Sequence, residues 1–518
     1  MWTTHYDVLI VGAGVAGSAL AHALATLPGS KLRIAVLERS LVEPDRIVGE
    51  ILQPGGVEAL SKLGLASCLE NIDAMHVKGY CVLSGDQTVE IPYPETSQGR
   101  SFHHGRFITN MRDAARKSVG VDLIEATVTD LIHCHFERKV IGVQAVQKEG
   151  AVDGEDGDKV TYFADLVIVA DGCFSKFRPS IMGPTAVKPS TRSHFVALIL
   201  EEDAPLPLHE YGTVVLVEGA GPVLLYQISK HETCMFVDVK SPVPSDLKAY
   251  LLTEIIPKLP IPLRCAAQCA LTKNRLRRTP NSFLPAVQQG ACAGVFLLGD
   301  AWNMRHPLTG GGMTVALDDV LLLRSLLGTL PDFKDRAQTT RVLRKWHWQR
   351  KPVASTVNIF SVALHDLFSG HGDDLGVLRT GCLKYLERGG ECLNGPAALL
   401  AVLAPSPLRL GWHFLSIIIY SIWLLFVAKP TLCLITGKSR RVAPSFDEYP
   451  ALLRRSASVI RTASALLLPL LASELRWWAP RARPKPTTEP FQLDVTMTVY
   501  FVWFFVPMAL WTFFVVLR

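Results

Sequence analysis

The apolar positions of the chain form short runs in its first part and long runs towards its C-terminus. Residues 8–11, 33–37, 161–170 and 294–298 are rich in Val, Ile, Leu and Ala. Such runs are typical of strands buried on both faces of a parallel sheet. Between the last two runs, residues 193–239 break into β-rich segments separated by Pro and Gly turns, which predict a second, antiparallel sheet. The first sheet is therefore predicted to be discontinuous, with the second inserted into it.

Two longer apolar runs near the C-terminus predict helices that contact a membrane. Residues 411–428 and 495–517 contain no Asp, Glu, Lys or Arg. As a helix the second run would reach ~35 Å, enough to cross a bilayer core of ~30 Å, with a kink at Pro507. The basic, proline-rich linker at 481–486 suits a position beside the cytosolic leaflet. We expect the last run to be the main anchor, either spanning the bilayer or lying in one leaflet, and the shorter run to help form a substrate entrance.

Composition narrows the classes of partner. The chain has 518 residues, of which 49% are hydrophobic, and a net charge of +6. This size allows two or three domains, and this hydrophobic content suggests contact with membrane lipid. No Lys/Arg run is interleaved with aromatic residues, so a nucleic acid is not expected as a partner. The 11 cysteines do not form a zinc-ligand pattern with histidines, so we expect free thiols in a reducing compartment and no metal site.

A glycine motif follows the first predicted strand. In Gly12-x-Gly14-x-x-Gly17, the first glycine allows a tight turn, the second lets a pyrophosphate approach, and the third lets the next helix pack on the strand. That helix, predicted over 16–27, directs its N-terminal N–H groups at the phosphates. Glu38 ends the second strand, 21 residues after Gly17, where an acid can bind a ribose hydroxyl. This order of strand, glycine motif, helix, second strand and terminal acid predicts a dinucleotide-binding domain.

Other glycine- and proline-rich stretches lie at the predicted strand ends. The strand at 161–170 runs into Asp171-Gly172, and the strand at 294–298 into Gly299-Asp300. The glycines at 310–312 precede a helix, so their backbone donors suit a carbonyl of a reduced isoalloxazine. The Pro54-Gly55-Gly56 cluster is expected to be non-helical. The acidic stretch 149–158 is predicted to be a solvated hairpin loop.

Together these stretches resemble the FAD-dependent aromatic-hydroxylase superfamily and, within it, the squalene monooxygenase (squalene epoxidase) family. The resemblance spans roughly residues 6–420 and is carried by residues 11–20, 43–50, 52–56, 171–175, 299–300, 303–317 and 351–356. It implies an α/β fold in which a discontinuous Rossmann-type FAD-binding domain holds an inserted antiparallel β substrate domain and is followed by a C-terminal helical, membrane-associated region. We place the FAD-binding domain at 1–185 (with substrate-side strands near 78–100) and 291–350, the substrate domain at 186–290 and the membrane region at 351–518.

The resemblance also implies which residues bind FAD. Val15 and Ala16 would lie at the pyrophosphate with the glycines of the motif, and Glu38 at the adenosine ribose. Asp300 would hold the ribityl and pyrophosphate region, and Gly312 and Met313 the flavin ring. The adenine-side and pyrophosphate contacts would be completed by Arg39, Arg46, Arg112 and Val128. Tyr80 and Gln53 match a family pair that meets near the flavin and orders the active site.

The activity implied is the epoxidation of squalene to (S)-2,3-oxidosqualene with O2, in sterol and triterpenoid biosynthesis. Electrons would come from NADPH through a separate NADPH–cytochrome P450 reductase, since the sequence has no second G-x-G-x-x-G. The expected location is the endoplasmic reticulum or microsomal membrane. The strand that begins near residue 6 leaves no room for a cleaved signal peptide, so we expect the catalytic part to face the cytosol. Such chemistry needs a positioned cofactor and a dry apolar cavity more than acid–base groups, and His306 is expected to be structural.

Two alternatives stay open at this point. A flavin monooxygenase of the same fold could epoxidise another prenyl or terpenoid chain, and pocket-lining residues would distinguish it. A reductase-type or non-catalytic flavoprotein anchored to a membrane is a different class. The intact Asp300 and the segment Gly310 to Met313 argue against a loss of flavin binding.

Overall fold

The computed structural model of the protein describes residues 5–475 except 47, 137–138, 148–158, 202–203, 205, 274–275, 428, 433–438 and 443. The predicted acidic loop at 149–158, the basic linker at 481–486 and the predicted apolar segment at 495–517 lie outside these residues.

The described residues form strands and helices throughout. The strands are β1 (His5–Val11), β2 (Ile34–Glu38), β3 (Ile51–Leu52), β4 (Met75–Val77), β5 (Gly79–Ser84), β6 (Gln87–Pro92), β7 (Gly99–Ser101), β8 (Val121–His133), β9 (Val140–Gln147), β10 (Lys159–Val169), β11 (Ser190–Glu201), β12 (Tyr211–Leu216), β13 (Val223–Gln227), β14 (Glu232–Lys240), β15 (Arg277–Phe283), β16 (Val295–Leu297), β17 (Lys429–Leu432) and β18 (Ser439–Val442). The helices are α1 (Val15–Ala25), α2 (Pro54–Leu63), α3 (His104–Arg116), α4 (Arg178–Met182), α5 (Leu247–Tyr250), α6 (Ile261–Lys273), α7 (Gly312–Leu327), α8 (Arg336–Gln349), α9 (Lys351–Ser369), α10 (Asp373–Glu387), α11 (Glu391–Leu400), α12 (Pro407–Phe426) and α13 (Tyr449–Leu475).

The first sheet is the predicted discontinuous nucleotide-binding sheet. Its parallel strands are arranged as β8-β2-β1-β10-β16, and β9 pairs antiparallel with the remaining parts of β8 and β10. The four predicted apolar runs supply β1, β2, β10 and β16, whose aliphatic side chains are almost fully buried. Helix α1 packs between α3 and α7 beside this sheet, so the ends of four parallel strands meet at one edge.

The second sheet has the order β15-β11-β14-β13-β12-β5-β6. It departs from a purely antiparallel sheet near one edge, where β12 and β5 run parallel. The reason is connectivity: β5 and β6 come from the first part of the chain, and β5 joins the edge of a sheet whose other strands arrive much later. One face of the sheet packs on helices α9 to α11, and the other packs on α5 and α6.

Among the described residues, two helical segments are long and apolar enough to cross a membrane by length and composition, namely Pro407–Phe426 and Phe446–Glu474. Buried residues make up only 22% and 28% of their most apolar stretches. Large apolar side chains on these segments are exposed: Leu408, Trp423, Phe446, Tyr449, Leu453 and Ile460. An outward-facing apolar surface of this kind marks a contact with lipid or protein.

The expectation for residues 54–56 is also wrong. Residues 54–56 are helical, because α2 begins at Pro54. The fixed backbone angle of proline suits the first helical position, where its missing N–H costs no hydrogen bond. The apolar face of α13 also went unrecognised, since Arg454, Arg455 and Arg461 interrupt its sequence.

Candidate functional site

A cleft of about 910 Å³ opens at the carboxyl edge of the first sheet. Its walls include the ends of β1, β2, β10 and β16, together with the first turn of α7. This edge is where open α/β sheets bind their ligands. The cleft is therefore the candidate cofactor site.

Most of the residues predicted to bind the cofactor line this cleft. The lining ones are Gly12, Gly14, Val15, Ala16, Glu38, Arg39, Arg46, Arg112, Val128, Asp300, Gly312 and Met313, and Tyr80 joins them. The other two predicted residues lie behind the wall. Gly17 packs against the backbone of Gly12, and Gln53 is fully buried and hydrogen-bonded to Tyr80.

The three glycines of the motif have different surroundings. Gly12 has φ +102°, and a Cβ built on it would lie 2.6 Å from the carbonyl oxygen of Ala170. A Cβ on Gly17 would lie 1.9 Å from the carbonyl oxygen of Gly12, so this glycine sets the approach of α1 to the turn. A Cβ on Gly14 would meet nothing within 4 Å in the described part of the chain. The space in front of Gly14 thus belongs to the cleft, where a ligand backbone fits.

Glu38 and Arg112 both hydrogen-bond to the backbone of Ala13, in the turn of the glycine motif between β1 and α1. The N–H of Ala13 donates to Glu38 Oε2 at 2.7 Å, and Arg112 Nε donates to the carbonyl oxygen of Ala13 at 3.0 Å. The guanidinium of Arg112 lies 3.7 Å from the Glu38 carboxylate. Burial lowers the pKa of Arg112 from its usual value, and Glu38 opposes this shift. The pair leaves Glu38 fixed at the end of β2, facing the cleft.

Arg305 is a cleft residue that sequence reasoning missed. Its Nη2 donates to the carbonyl oxygen and to Oδ1 of Asn303, both at 2.9 Å. Its Nε and Nη1 are buried without a hydrogen-bond partner among the described residues. Burial lowers the pKa of Arg305 to about 10, so it remains a cation at neutral pH. A buried cation with unpartnered donors on the cleft wall fits an anionic or carbonyl-rich ligand such as a flavin dinucleotide.

Tyr80 and Gln53, the predicted active-site pair, are in contact. Gln53 Nε2 donates to the Tyr80 hydroxyl at 2.8 Å and to the carbonyl oxygen of Thr309 at 2.6 Å. The Tyr93 hydroxyl donates to Gln53 Oε1. Burial raises the pKa of both phenols above the usual value, so they stay neutral. The amide therefore joins β5 and the residue that follows β6 to the turn that precedes α7.

A second cavity, of about 120 Å³, lies on the other side of Tyr80. Its lining is almost entirely apolar and comes from the second sheet and from helices α9 to α13, with Phe360, Leu364, Phe368, Phe414, Ile418 and Leu467 among its residues. Tyr80 and Leu308 line both this cavity and the cleft. The two spaces therefore share a wall.

Glu50 is a second residue that the sequence did not reveal. Its side chain is 2% exposed beside Tyr226 and Cys234 of the second sheet, and Oε2 has no hydrogen-bond partner in the described structure. Burial raises its pKa to about 8, and the carboxylate of Glu232 adds to the shift. The carboxyl group is thus protonated at neutral pH.

Glu50→Gln is expected to stabilise the protein at alkaline pH. The folded-state pKa of about 8 lies above the ordinary value of 4.5, so the folded state loses stability as the pH rises from about 4.5 to about 8. The loss amounts to roughly 1.4 kcal/mol per unit of pKa difference. Glutamine removes the ionisation and keeps the shape. The melting temperature of the variant should exceed that of the wild type at pH 8.5, and the gain should shrink at pH 5.

The control is Glu58→Gln, which changes an exposed carboxylate on α2. It should leave the pH dependence of the melting temperature as in the wild type. A Glu50→Gln variant that follows the wild-type pH profile would show that Glu50 is ionised in the folded protein.

Comparison with known proteins identifies the family. Residues 163–437 match the sequence model of the squalene epoxidase family. A squalene monooxygenase of Mus musculus is 42% identical over 92% of this chain and 79% of its own length. A squalene epoxidase of Aspergillus fumigatus is 43% identical over 82% of this chain and 88% of its own length.

Solved structures show the same fold at low identity. A probable FAD-dependent monooxygenase from Pseudomonas aeruginosa has a TM-score of 0.58 at 18% identity, covering 71% of this chain and 97% of that one. A geranylgeranyl bacteriochlorophyll reductase-like protein from Thermoplasma acidophilum has a TM-score of 0.59 at 17% identity, covering 79% of this chain and 99% of that one. From the family match and its extent, the chain belongs to the squalene epoxidase family of monooxygenases.

Proposed function

We propose that the protein epoxidises squalene to 2,3-oxidosqualene with O2, using FAD in the cleft and squalene in the apolar cavity. The observation that carries this proposal is the shared wall: Tyr80 and Leu308 line both spaces. An alkene at the inner end of the cavity would lie beside the cofactor in the cleft. Squalene is proposed as the substrate because the names of the relatives contain it. The apolar cavity beside the cleft is the proposed binding site for it.

The cleft residues suit FAD. The N-terminus of α1 and the open space at Gly14 receive the pyrophosphate, Glu38 the adenosine ribose, and Asp300, Gly312 and Met313 the ribityl and ring end. FAD bound there supplies the activation of O2. The chain itself has to hold the cofactor, orient the alkene and exclude water.

The apolar cavity gives the chain its selectivity for a hydrocarbon. The cavity presents almost no polar atoms, so it can hold an unfunctionalised chain without leaving buried polar groups unpaired. Another prenyl chain remains the alternative substrate, because the same apolar lining would accept it.

The candidate membrane helices form part of that wall. Phe414, Ile417 and Ile418 of α12 and Ala463, Leu466 and Leu467 of α13 line the cavity. Both helices also expose large apolar side chains at other positions. Squalene dissolves in the bilayer, and moving it into water would cost ~0.8 kcal/mol for each CH2 group. A cavity bounded by helices that contact lipid avoids that cost. We propose an endoplasmic-reticulum membrane, with the cleft facing the cytosol and NADPH–cytochrome P450 reductase supplying electrons.

The decisive experiment uses the full chain purified in detergent with FAD, NADPH, the reductase and squalene. The expected product is about 16 mass units heavier than squalene when the gas is 16O2 and about 18 mass units heavier when it is 18O2, because one atom of O2 enters the product. A second prenyl hydrocarbon of similar length, assayed in parallel, distinguishes the alternative substrate. Leu364→Trp, which fills the apolar cavity, should bind FAD normally and abolish the product. If Leu364→Trp forms product like the wild type, the cavity is not the squalene site.

A further inference from the structure

A buried cluster of ionisable residues lies outside both cavities. Asp238 on β14, His365 on α9 and His306 before α7 are all buried. Asp238 Oδ2 lies 2.9 Å from His365 Nε2, and Oδ1 lies 3.4 Å from His306 Nε2. Asn281 Nδ2 also donates to Asp238 Oδ1 at 2.9 Å. The carboxylate thus joins the second sheet, a C-terminal helix and the segment that leads to the cleft.

His365 is held as a cation by carboxylates on both sides of its ring. Its Nε2 faces Asp238, and its Nδ1 lies 3.2 Å from Asp366 Oδ1. Burial alone would lower the pKa of His365, but these hydrogen bonds raise it to about 9. Asp366 is in turn paired with Arg192 at 3.1 Å. Both ring nitrogens of His365 therefore act as donors.

His306 is neutral, and its tautomer follows from its contacts. The backbone N–H of Leu308 donates to His306 Nδ1 at 3.2 Å, so Nδ1 carries no proton. Nε2 must carry it, and it faces Asp238 and the Ser193 hydroxyl, 3.2 Å away. Burial lowers the pKa of His306 to about 4. The ring also stacks on that of His365, with centroids 4.0 Å apart.

The segment held by His306 is the shared wall of the two cavities. Pro307–Thr309 is a 3-10 turn that continues through Gly310, at φ +60°, to the start of α7. Leu308 lines both cavities, and the carbonyl oxygen of Thr309 accepts the hydrogen bond from Gln53. A shift of this turn would move the wall between cofactor and substrate.

We propose that Asp238 and His365 are positioning residues that fix the tautomer of His306 and so hold the Pro307–Thr309 turn between the cleft and the apolar cavity. The hydrogen bonds that hold the turn do not depend on the proposed function. Its consequence for epoxidation rests on the proposed function.

The same three residues have the composition of a metal site, since their ligand atoms lie within 4.8 Å of one another. The geometry favours a hydrogen-bond network instead. A histidine ligand offers a nitrogen lone pair to the metal, whereas the Leu308 N–H on Nδ1 leaves His306 Nε2 protonated. Bound metal is therefore an outcome that the experiment has to look for.

The test is hydrogen exchange, read by mass spectrometry, in the full chain with FAD. Asp238→Asn and His365→Gln should each accelerate exchange at Leu308 by roughly tenfold or more, because the amide loses its fixed acceptor. Peptides from β1 and α1 should exchange as in the wild type. Asp246→Asn, which removes a hydrogen-bonded carboxylate at the N-terminus of α5, serves as the control and should leave the turn unchanged.

Two further readouts decide what the network does. With squalene, Asp238→Asn should keep its bound FAD but form at least about fivefold less epoxide per NADPH consumed. A purely structural network would instead accelerate exchange evenly over β11, β14 and α9 and leave that ratio intact, which would overturn the proposal. So would unchanged exchange at Leu308 in both variants, or one equivalent of zinc per wild-type chain that Asp238→Asn loses. A wild type that forms no epoxide would refute the proposed function, while the exchange result would still decide the positioning role.

Discussion

Gly14→Ala should fold like the wild type and yet lose most of its FAD. Gly14 has φ −83° and ψ −166°, a conformation open to alanine, and its Cβ would meet no neighbouring atom within 4 Å in the described structure. The added methyl group would instead occupy the cleft in front of α1, where the pyrophosphate has to approach the backbone. We expect an unchanged melting temperature without FAD and at least a hundredfold weaker FAD binding, measured by fluorescence titration of the apoprotein.

Two other glycines make this prediction specific. Gly376→Ala also places its Cβ in open space, but within helix α10 and outside the cleft. It should raise the melting temperature slightly, because alanine favours a helix more than glycine does, and leave FAD affinity unchanged. Gly17→Ala drives its Cβ to 1.9 Å from the Gly12 carbonyl oxygen, so it should lower the melting temperature as well as FAD binding. If Gly14→Ala binds FAD with wild-type affinity, the pyrophosphate does not lie at this turn.

The first sheet could be predicted from the sequence because its signals are local. Uninterrupted aliphatic runs mark β1, β2, β10 and β16, and the glycine motif sits within a few residues of the strand it follows. The cleft residues at these strand ends were found for the same reason. Parallel strands bring their carboxyl ends to one edge, so separate stretches of sequence could be assigned to one site.

Glu50, Arg305 and Asp238 were missed because their properties depend on distant parts of the chain. Glu50 is an ordinary acid in the sequence, and its raised pKa comes from burial against β13 and β14. Asp238 becomes the centre of a network only when α9 and the residues before α7 pack on β14. Sequence patterns report local structure and burial, whereas such side-chain pairing depends on the complete fold.

In the C-terminal region, one membrane-contacting helix could be predicted from the sequence and the other could not. Residues 411–428 were recognised by their lack of charge, and α12 covers nearly all of them. Helix α13 was not, because its arginines hide an apolar face that helical periodicity places on one side. The two helices together line the apolar cavity. The substrate entrance predicted for 411–428 stays a prediction, and at α12 it would also include α13, which comes from further along the chain.

The Tyr80→Ala variant should retain FAD, and its epoxidation rate should be at least about a hundredfold lower than that of the wild type. Tyr80 is the aromatic part of the wall between cleft and cavity, and its removal leaves a void there and takes one partner from Gln53 Nε2. Water can then reach the reaction space, and reduced oxygen leaves as hydrogen peroxide instead of entering the product. Epoxide, peroxide and NADPH should be measured in the same reaction.

Tyr80→Phe is the matched variant, because it keeps the ring and its edge contact with Tyr93 while removing only the hydroxyl. If the wall is what matters, Tyr80→Phe should keep most of the epoxide formed per NADPH, and the loss in Tyr80→Ala should appear as peroxide. If Tyr80→Phe is as damaging as Tyr80→Ala, the hydrogen bond to Gln53 positions the site. Unchanged turnover in Tyr80→Ala would remove Tyr80 from the site altogether, since the truncation deletes both the wall and the hydrogen bond.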